Sequence, residues 1–213
     1  MKKSILTLAI AIFAVVAFGS TSSFEKEMKQ NLETLRADKE ATNYKELGDS
    51  FGQIAENNTN RFEPLYYSAY SYILSSWQIS DAAKKVEVLS VAKKQIDKAI
   101  EIDPNNDELL ALDAFYYQAM IMTNPQKYGQ PNSIKASELL QKAKSINSSN
   151  PRVVFLLAEN TYYTPEQYGG GKKVALPLFK KAAKLFRQQN TDNYLLPTWG
   201  EETNAAMIKQ CKK

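Results

Sequence analysis

The 213-residue chain contains no histidine. That removes the commonest general base, the usual zinc ligand and every Ser-His or Cys-His nucleophile pair. Cysteine occurs once, at Cys211, so no disulfide forms within the chain, and in an oxidising compartment the thiol stabilises nothing unless it bridges two molecules. No segment alternates polar and apolar residues over the length of a strand, which predicts almost no sheet. Nor do the carboxylates have the spacing of a calcium loop. Asp103-Pro104-Asn105-Asn106-Asp107 lacks the alternating oxygen ligands and the distal bidentate Glu. The expectation is a protein with no metal, no cofactor and no catalytic residues.

Long uncharged sequence is confined to the amino terminus. Lys2 and Lys3 precede an apolar stretch from Ile5 to Phe18, and Gly19-Ser20-Thr21-Ser22-Ser23 follows. A charged start, a short apolar stretch and a small-residue exit form the secretory pattern, whereas a spanning helix needs about twenty apolar residues. Residues 1–23 are therefore read as a signal peptide cleaved near 19–23, and residues 24–213 as one domain. No cysteine lies at the exit, so no lipid anchor is expected. The mature chain is expected in the periplasm or secreted, without stable membrane insertion. Loss of Lys2 and Lys3 takes Lys plus Arg from 27 to 25, against 23 Asp plus Glu. Near-neutral charge and export together argue against a nucleic-acid partner.

What the chain does have is repetition. Lys98-Ala99-Ile100-Glu101-Ile102-Asp103-Pro104-Asn105-Asn106 reads as a helix end, a turn and the start of another helix. Just before this turn, a small, a large and a small residue stand at Ala92, Ile96 and Ala99. The pattern returns at Ala136, Leu140 and Ala143, and again at Ala175, Phe179 and Ala182. Steps of three and four place each set on one helical face, with alanine where another helix must approach closely. Upstream of each lies a partner helix with an aliphatic residue four positions before an alanine: Leu65 and Ala69, Leu110 and Ala114, Val154 and Ala158.

These matched pairs resemble the tetratricopeptide repeat over roughly residues 61 to 190. The resemblance implies an all-α fold: a right-handed array of antiparallel helix pairs, here about nine helices. Their expected positions are about 24–37, 41–56, 64–79, 81–102, 106–123, 133–146, 151–163, 173–189 and 200–211. The period departs from the family. Pro64, Pro104, Pro151 and Pro197 stand 40, 47 and 46 apart, against a standard repeat of about 34. The excess is expected between the helices of each pair, in Trp77–Lys85, Asn124–Ser133 and Thr164–Lys172. A closer resemblance rests on Tyr163-Thr164-Pro165-Glu166-Gln167-Tyr168-Gly169-Gly170-Gly171-Lys172, Ala175-Leu176-Pro177-Leu178-Phe179, Asn150-Pro151-Arg152 and Pro197-x-Trp199-Gly200. With these the chain is similar to a family of small exported bacterial tetratricopeptide-like proteins. That implies fold and compartment and lends no catalytic residue.

Two candidate sites follow. In tetratricopeptide folds the first helix of each pair lines an inner groove, and the corresponding positions here include Glu63, Tyr66, Tyr70, Phe115, Gln118, Arg152, Phe155, Glu159 and Tyr162. Aromatic groups with a few polar ones suit an extended peptide or a partner helix. Packing of the same aromatics against the long insertions and the first two helices is the competing use. Of the doubled tyrosines (Tyr66-Tyr67, Tyr116-Tyr117, Tyr162-Tyr163), one of each pair is expected in the core, because neighbours on a helix point 100° apart. The second site is Gly169-Gly170-Gly171-Lys172-Lys173, where backbone N–H groups and two lysines at a helix start could hold a phosphate or carboxylate. The phosphate-loop signature is incomplete there, and three glycines also simply permit a tight reversal. The function expected is an exported, non-catalytic scaffold or interaction module for an unidentified protein or peptide. The alternative is a small-molecule or anion binder, possibly enzymatic, using the glycine loop.

Overall fold

The computed structural model describes residues 13–37 and 43–213, with side chains from Ser23 onward. Most of the expected leader, residues 1–23, lies outside the described residues. The described chain forms nine α-helices and no strand: α1 (Phe13–Ala37), α2 (Tyr44–Asn57), α3 (Glu63–Ser76), α4 (Ala82–Ile102), α5 (Asp107–Ile121), α6 (Pro125–Ile146), α7 (Pro151–Tyr163), α8 (Lys172–Gln188) and α9 (Glu201–Cys211). Among the described residues no helix is long and apolar enough to cross a membrane.

Consecutive helices pack side by side, most extensively α5 on α6, α3 on α4, α2 on α3 and α7 on α8. The sequence repeat is the seam of the α3–α4, α5–α6 and α7–α8 pairs. Ala92, Ile96 and Ala99, then Ala136, Leu140 and Ala143, then Ala175, Phe179 and Ala182 are all fully buried. Opposite them sit Ala69, Ala114 and Ala158, also fully buried. Alanine at these crossings lets two helix backbones approach while the large residue between them fills the remaining space.

Four consecutive helices, α4 to α7, start on an Asn or Asp cap. Asn106 Oδ1 accepts from the Glu108 and Leu109 N–H groups at 3.0 and 3.2 Å. Asn150 Oδ1 accepts from Arg152 and Val153 at 2.8 and 3.3 Å. Asp81 and Asn124 cap α4 and α6 through Lys84 and Lys127. Each cap satisfies N–H groups that have no partner inside the helix.

Two boundaries differ from expectation: α1 begins at Phe13 rather than near residue 24, running through the expected cleavage region, and α6 begins early. The segment 124–133 is not a connecting insertion: α6 begins at Pro125 and runs through Pro131 to Ile146. Asn124 as cap and Pro125 in the first turn both favour an early start. Pro131 lacks an N–H and would ordinarily disrupt a helix. Around it, side chains tie the segment to its neighbours. Asn132 Nδ2 donates to the Tyr117 carbonyl (3.4 Å), Ser133 Oγ donates to Asn160 Oδ1 (2.9 Å), and Asn160 Nδ2 donates to the Ser133 carbonyl (3.0 Å).

Candidate binding cleft

The inner faces of α3, α5 and α7 lie side by side, and their two halves are built differently. At the amino-terminal ends stands a polar network. Arg152, only 1% exposed, donates through Nε and Nη2 to the Glu108 carboxylate at 2.6–3.0 Å and through Nη1 to Gln189 Oε1 at 3.2 Å. Asn150 Nδ2 donates to Asp107 Oδ2 and Glu108 Oε1 at 2.6 and 2.8 Å. The acids in the first turn of α5 therefore bind one repeat to the next, besides facing the positive end of their own helix.

Over this half runs the segment from Tyr194 to Gly200. Tyr67 Oη donates to the Leu195 carbonyl at 2.9 Å, and Arg36 Nη2 donates to the Tyr194 and Leu196 carbonyls at 2.7 and 3.3 Å. Gln189 Nε2 donates to the Pro197 carbonyl at 3.0 Å. The segment ends in Trp199, whose ring stacks on Tyr70 (centroids 5.1 Å apart, 17° between planes) and on Phe115 (5.2 Å, 23°). Its Nε1 donates to Tyr66 Oη at 2.9 Å, and the Arg152 guanidinium lies 5.9 Å from the ring. Gly200 then turns the chain into α9 with φ +104°, where a Cβ would stand 3.0 Å from the Phe186 ring. Only glycine suits that junction.

Beyond Trp199 the groove is open. It forms a cleft of about 1300 Å³, above the roughly 300–1000 Å³ of ordinary ligand pockets. Its floor is three stripes at helical spacing: Tyr70 and Leu74 from α3 with Trp77 just past its end, Phe115, Gln118 and Ala119 from α5 with Met122 just past its end, and Phe155, Glu159 and Tyr163 from α7. Leu35, Arg36 and Tyr44 form one wall, and Glu201 to Thr203 at the start of α9 another. Trp77, Met122 and Tyr163 are exposed at the mouth. Trp77 meets Phe115 edge-on at 5.5 Å and 85°. Burial pushes the Tyr70 hydroxyl well above its ordinary pKa. Burial likewise pushes the half-buried Glu159 carboxyl up to about 7.

The expected groove residues thus divide. Tyr70, Phe115, Gln118, Phe155 and Glu159 line the open cleft. Tyr66 and Arg152 are buried beneath the Tyr194–Gly200 segment, and Glu63 pairs with Arg61 at 2.6 Å. Tyr162 packs on Phe179. The expectation that one tyrosine of each pair fills the core fails at Tyr66-Tyr67, where both are buried because the covering segment encloses the second ring, and at Tyr116-Tyr117, where both are half-buried. Part of the groove is closed by this segment together with the first two helices, from which Phe51 stacks on Tyr67 and Arg36 holds the segment. Trp199, Trp77, Tyr163, Arg36 and Lys85 were absent from the sequence-derived site. The available signal was composition, since the only two tryptophans of the chain both line this cleft.

The glycine loop offers no ready cradle from its glycines. The Gly169, Gly170 and Gly171 N–H groups donate to the Glu166, Pro165 and Thr161 carbonyls at 3.0, 3.3 and 2.9 Å. A Cβ at Gly170 would stand 2.1 Å from the Thr164 carbonyl oxygen, so close packing explains that glycine. Lys172 and Lys173 remain exposed.

No protein-family profile and no curated protein matches the chain. Among solved structures it is similar to the HusA haemophore from Porphyromonas gingivalis, with a TM-score of 0.80 and 27% identity, covering 89% of this chain and 92% of that one.

Proposed function

We propose that this protein is an exported, non-catalytic binder that takes a flat, conjugated ligand of the haem type into the open half of its groove. The observation that carries the reading is the aromatic cleft itself, ended by a Trp199 ring already stacked on Tyr70 and Phe115. Such a wall offers a flat ring both apolar area and offset stacking. Similarity to a haemophore along nearly the whole of both chains supports the same ligand class. With no histidine in the chain, the ring faces carry most of the binding. Met122 and Tyr163 at the mouth are side chains of kinds that ligate haem iron. The fully buried Ala92, Ile96, Ala99 seam and its copies support placing the array among tetratricopeptide-like folds.

Because both tryptophans line the cleft, tryptophan fluorescence originates there. Haem titrated into the protein should quench that emission saturably at one equivalent. Tyr70→Ala combined with Phe155→Ala should weaken binding at least tenfold. Linear, non-saturating quenching would overturn the reading. The exposed rim of Trp77, Met122 and Tyr163 favours a second one, a peptide or partner helix laid across the same face. In that case Trp77→Ala and Tyr163→Ala abolish capture of the partner, and haem gives no saturable quenching.

A further inference from the structure

Five charged side chains line the cleft: Arg36, Lys85, Glu159, Glu201 and Glu202. They are not equivalent. Arg36 is held by two backbone carbonyls of the covering segment. Glu201 and Glu202 are exposed in the first turn of α9, where the helix dipole favours acids. Lys85, near the start of α4, is half-buried, and among the described residues no ion pair or side-chain hydrogen bond engages its ammonium. The connection from Trp77 to Lys85 brings both residues to the same mouth.

The rest of that mouth mixes both signs, since the amino terminus of α6 opens on it at Pro125 beside three helix carboxyl ends. α3, α5 and α7 all end there, next to Trp77, at Ile121 and at Tyr163, and a helix carboxyl end carries partial negative charge. Glu159 stands one turn inside it, with no hydrogen bond or ion pair from its carboxylate among the described residues. Lys85 is the cation of the cleft whose head group has no partner among the described residues, so an acidic substituent entering there is drawn to it. A half-buried ammonium without a partner gains from a carboxylate, since charge-assisted hydrogen bonds are the strong kind.

We propose that Lys85 is the specificity residue of the cleft, receiving the carboxylate edge of a flat amphipathic ligand and fixing which edge of the ring points outward. This rests on the haem-type reading above and adds to it a polarity: the ring lies against Tyr70, Phe115 and Phe155, and the acidic edge is placed at the α4 side of the mouth.

The test uses the full chain and two probes, haem, which carries two carboxylates, and its dimethyl ester, which carries none. Both are presented in the same mild non-ionic detergent and followed by tryptophan quenching. Lys85→Gln should weaken haem binding about tenfold and Lys85→Glu more, while Lys85→Arg keeps it and the ester binds all four proteins alike. Raising the salt from 50 to 500 mM should shrink the difference between wild type and Lys85→Gln for haem, as screening requires. If Lys85→Gln weakens both probes equally, or neither, the inference fails while the macrocycle reading stands. If the wild type binds neither probe, both fail together.

Discussion

The two halves of one groove, made by the same three helices, have opposite chemistry. At the amino-terminal half the charged and amide groups of the network have partners, although the buried Tyr194 hydroxyl has none among the described residues: Arg152 with Glu108, Asn150 with Asp107 and Glu108, and Arg36, like the Tyr67 hydroxyl, with carbonyls of the covering segment. At the carboxyl-terminal half the aromatic faces are uncovered, and the half-buried Lys85 and Glu159, like the exposed Glu201 and Glu202, have no partner among the described residues. Buried polar networks that are fully satisfied hold structure, whereas uncovered apolar area and unpaired charge are what a ligand can improve. On the proposed reading, the first half serves stability and the second binding.

The sharpest way to break that division is at Arg152. Arg152→Ala leaves Glu108, whose side chain is 15% exposed, as an uncompensated charge under the covering segment. It should cost about 3–5 kcal/mol, read as a lower midpoint of denaturant unfolding with the slope unchanged. Replacing Arg152 and Glu108 together by Met and Leu should recover most of the loss. If Arg152→Ala left stability intact and removed only ligand binding, the polar half would belong to the site and the division would be wrong.

A smaller effect, of opposite sign, is expected in the open half. Burial raises the Glu159 carboxyl from 4.5 to about 7, so the folded state holds this proton more tightly than the unfolded state. Below about pH 4.5 the group is neutral in both states and folding carries no penalty for it. As pH rises through about 7 the folded protein must ionise a half-buried carboxyl, and stability falls. Glu159→Gln removes the penalty. It should raise stability at pH 8 by on the order of 1–2 kcal/mol, allowing for residual solvent, and leave it unchanged at pH 4. Thermal melts at the two pH values decide it: equal shifts at both would show that Glu159 acts through packing and not through charge.

How much of this was legible in the sequence follows the same boundary. The helix pairs were readable because their seam is local. Ala92, Ile96 and Ala99 are spaced by the helix itself, and their burial needs no knowledge of distant chain. Asn106 and Asn150 could be read for the same reason, since a cap acts on the next few residues. The assignment of groove residues by position found Tyr70, Phe115, Phe155 and Glu159, which share the inner face through helical spacing alone. It could not separate them from Tyr66 and Arg152, because what covers those two comes from Tyr194 to Gly200, more than a hundred residues from Tyr66. Nothing in the local pattern says where that segment returns. The Pro197-x-Trp199-Gly200 phrase was visible as a motif, but its partners Tyr70 and Phe115 were not. The early start of α6 was hidden differently, by a Pro131 that by itself argues for a break.

The smallest effect is expected outside both halves, at the α7–α8 loop. An anion site there would need free N–H groups and uncompensated positive charge. The three glycine N–H groups are already given to Glu166, Pro165 and Thr161 carbonyls, and the Glu166 side chain packs against Gly171, where a Cβ would stand 2.7 Å from its Cγ. An acid at that position repels a phosphate, which leaves only the two exposed lysines in its favour. Solvated surface lysines hold a single anion weakly and are screened by salt. Lys172→Ala and Lys173→Ala should therefore each change stability by less than about 0.5 kcal/mol, and 10 mM phosphate should not raise the melting temperature of either variant or of the wild type. A phosphate-dependent rise in the wild type that Lys172→Ala removes would put a second site on the molecule, one independent of the groove and of everything that distinguishes its halves.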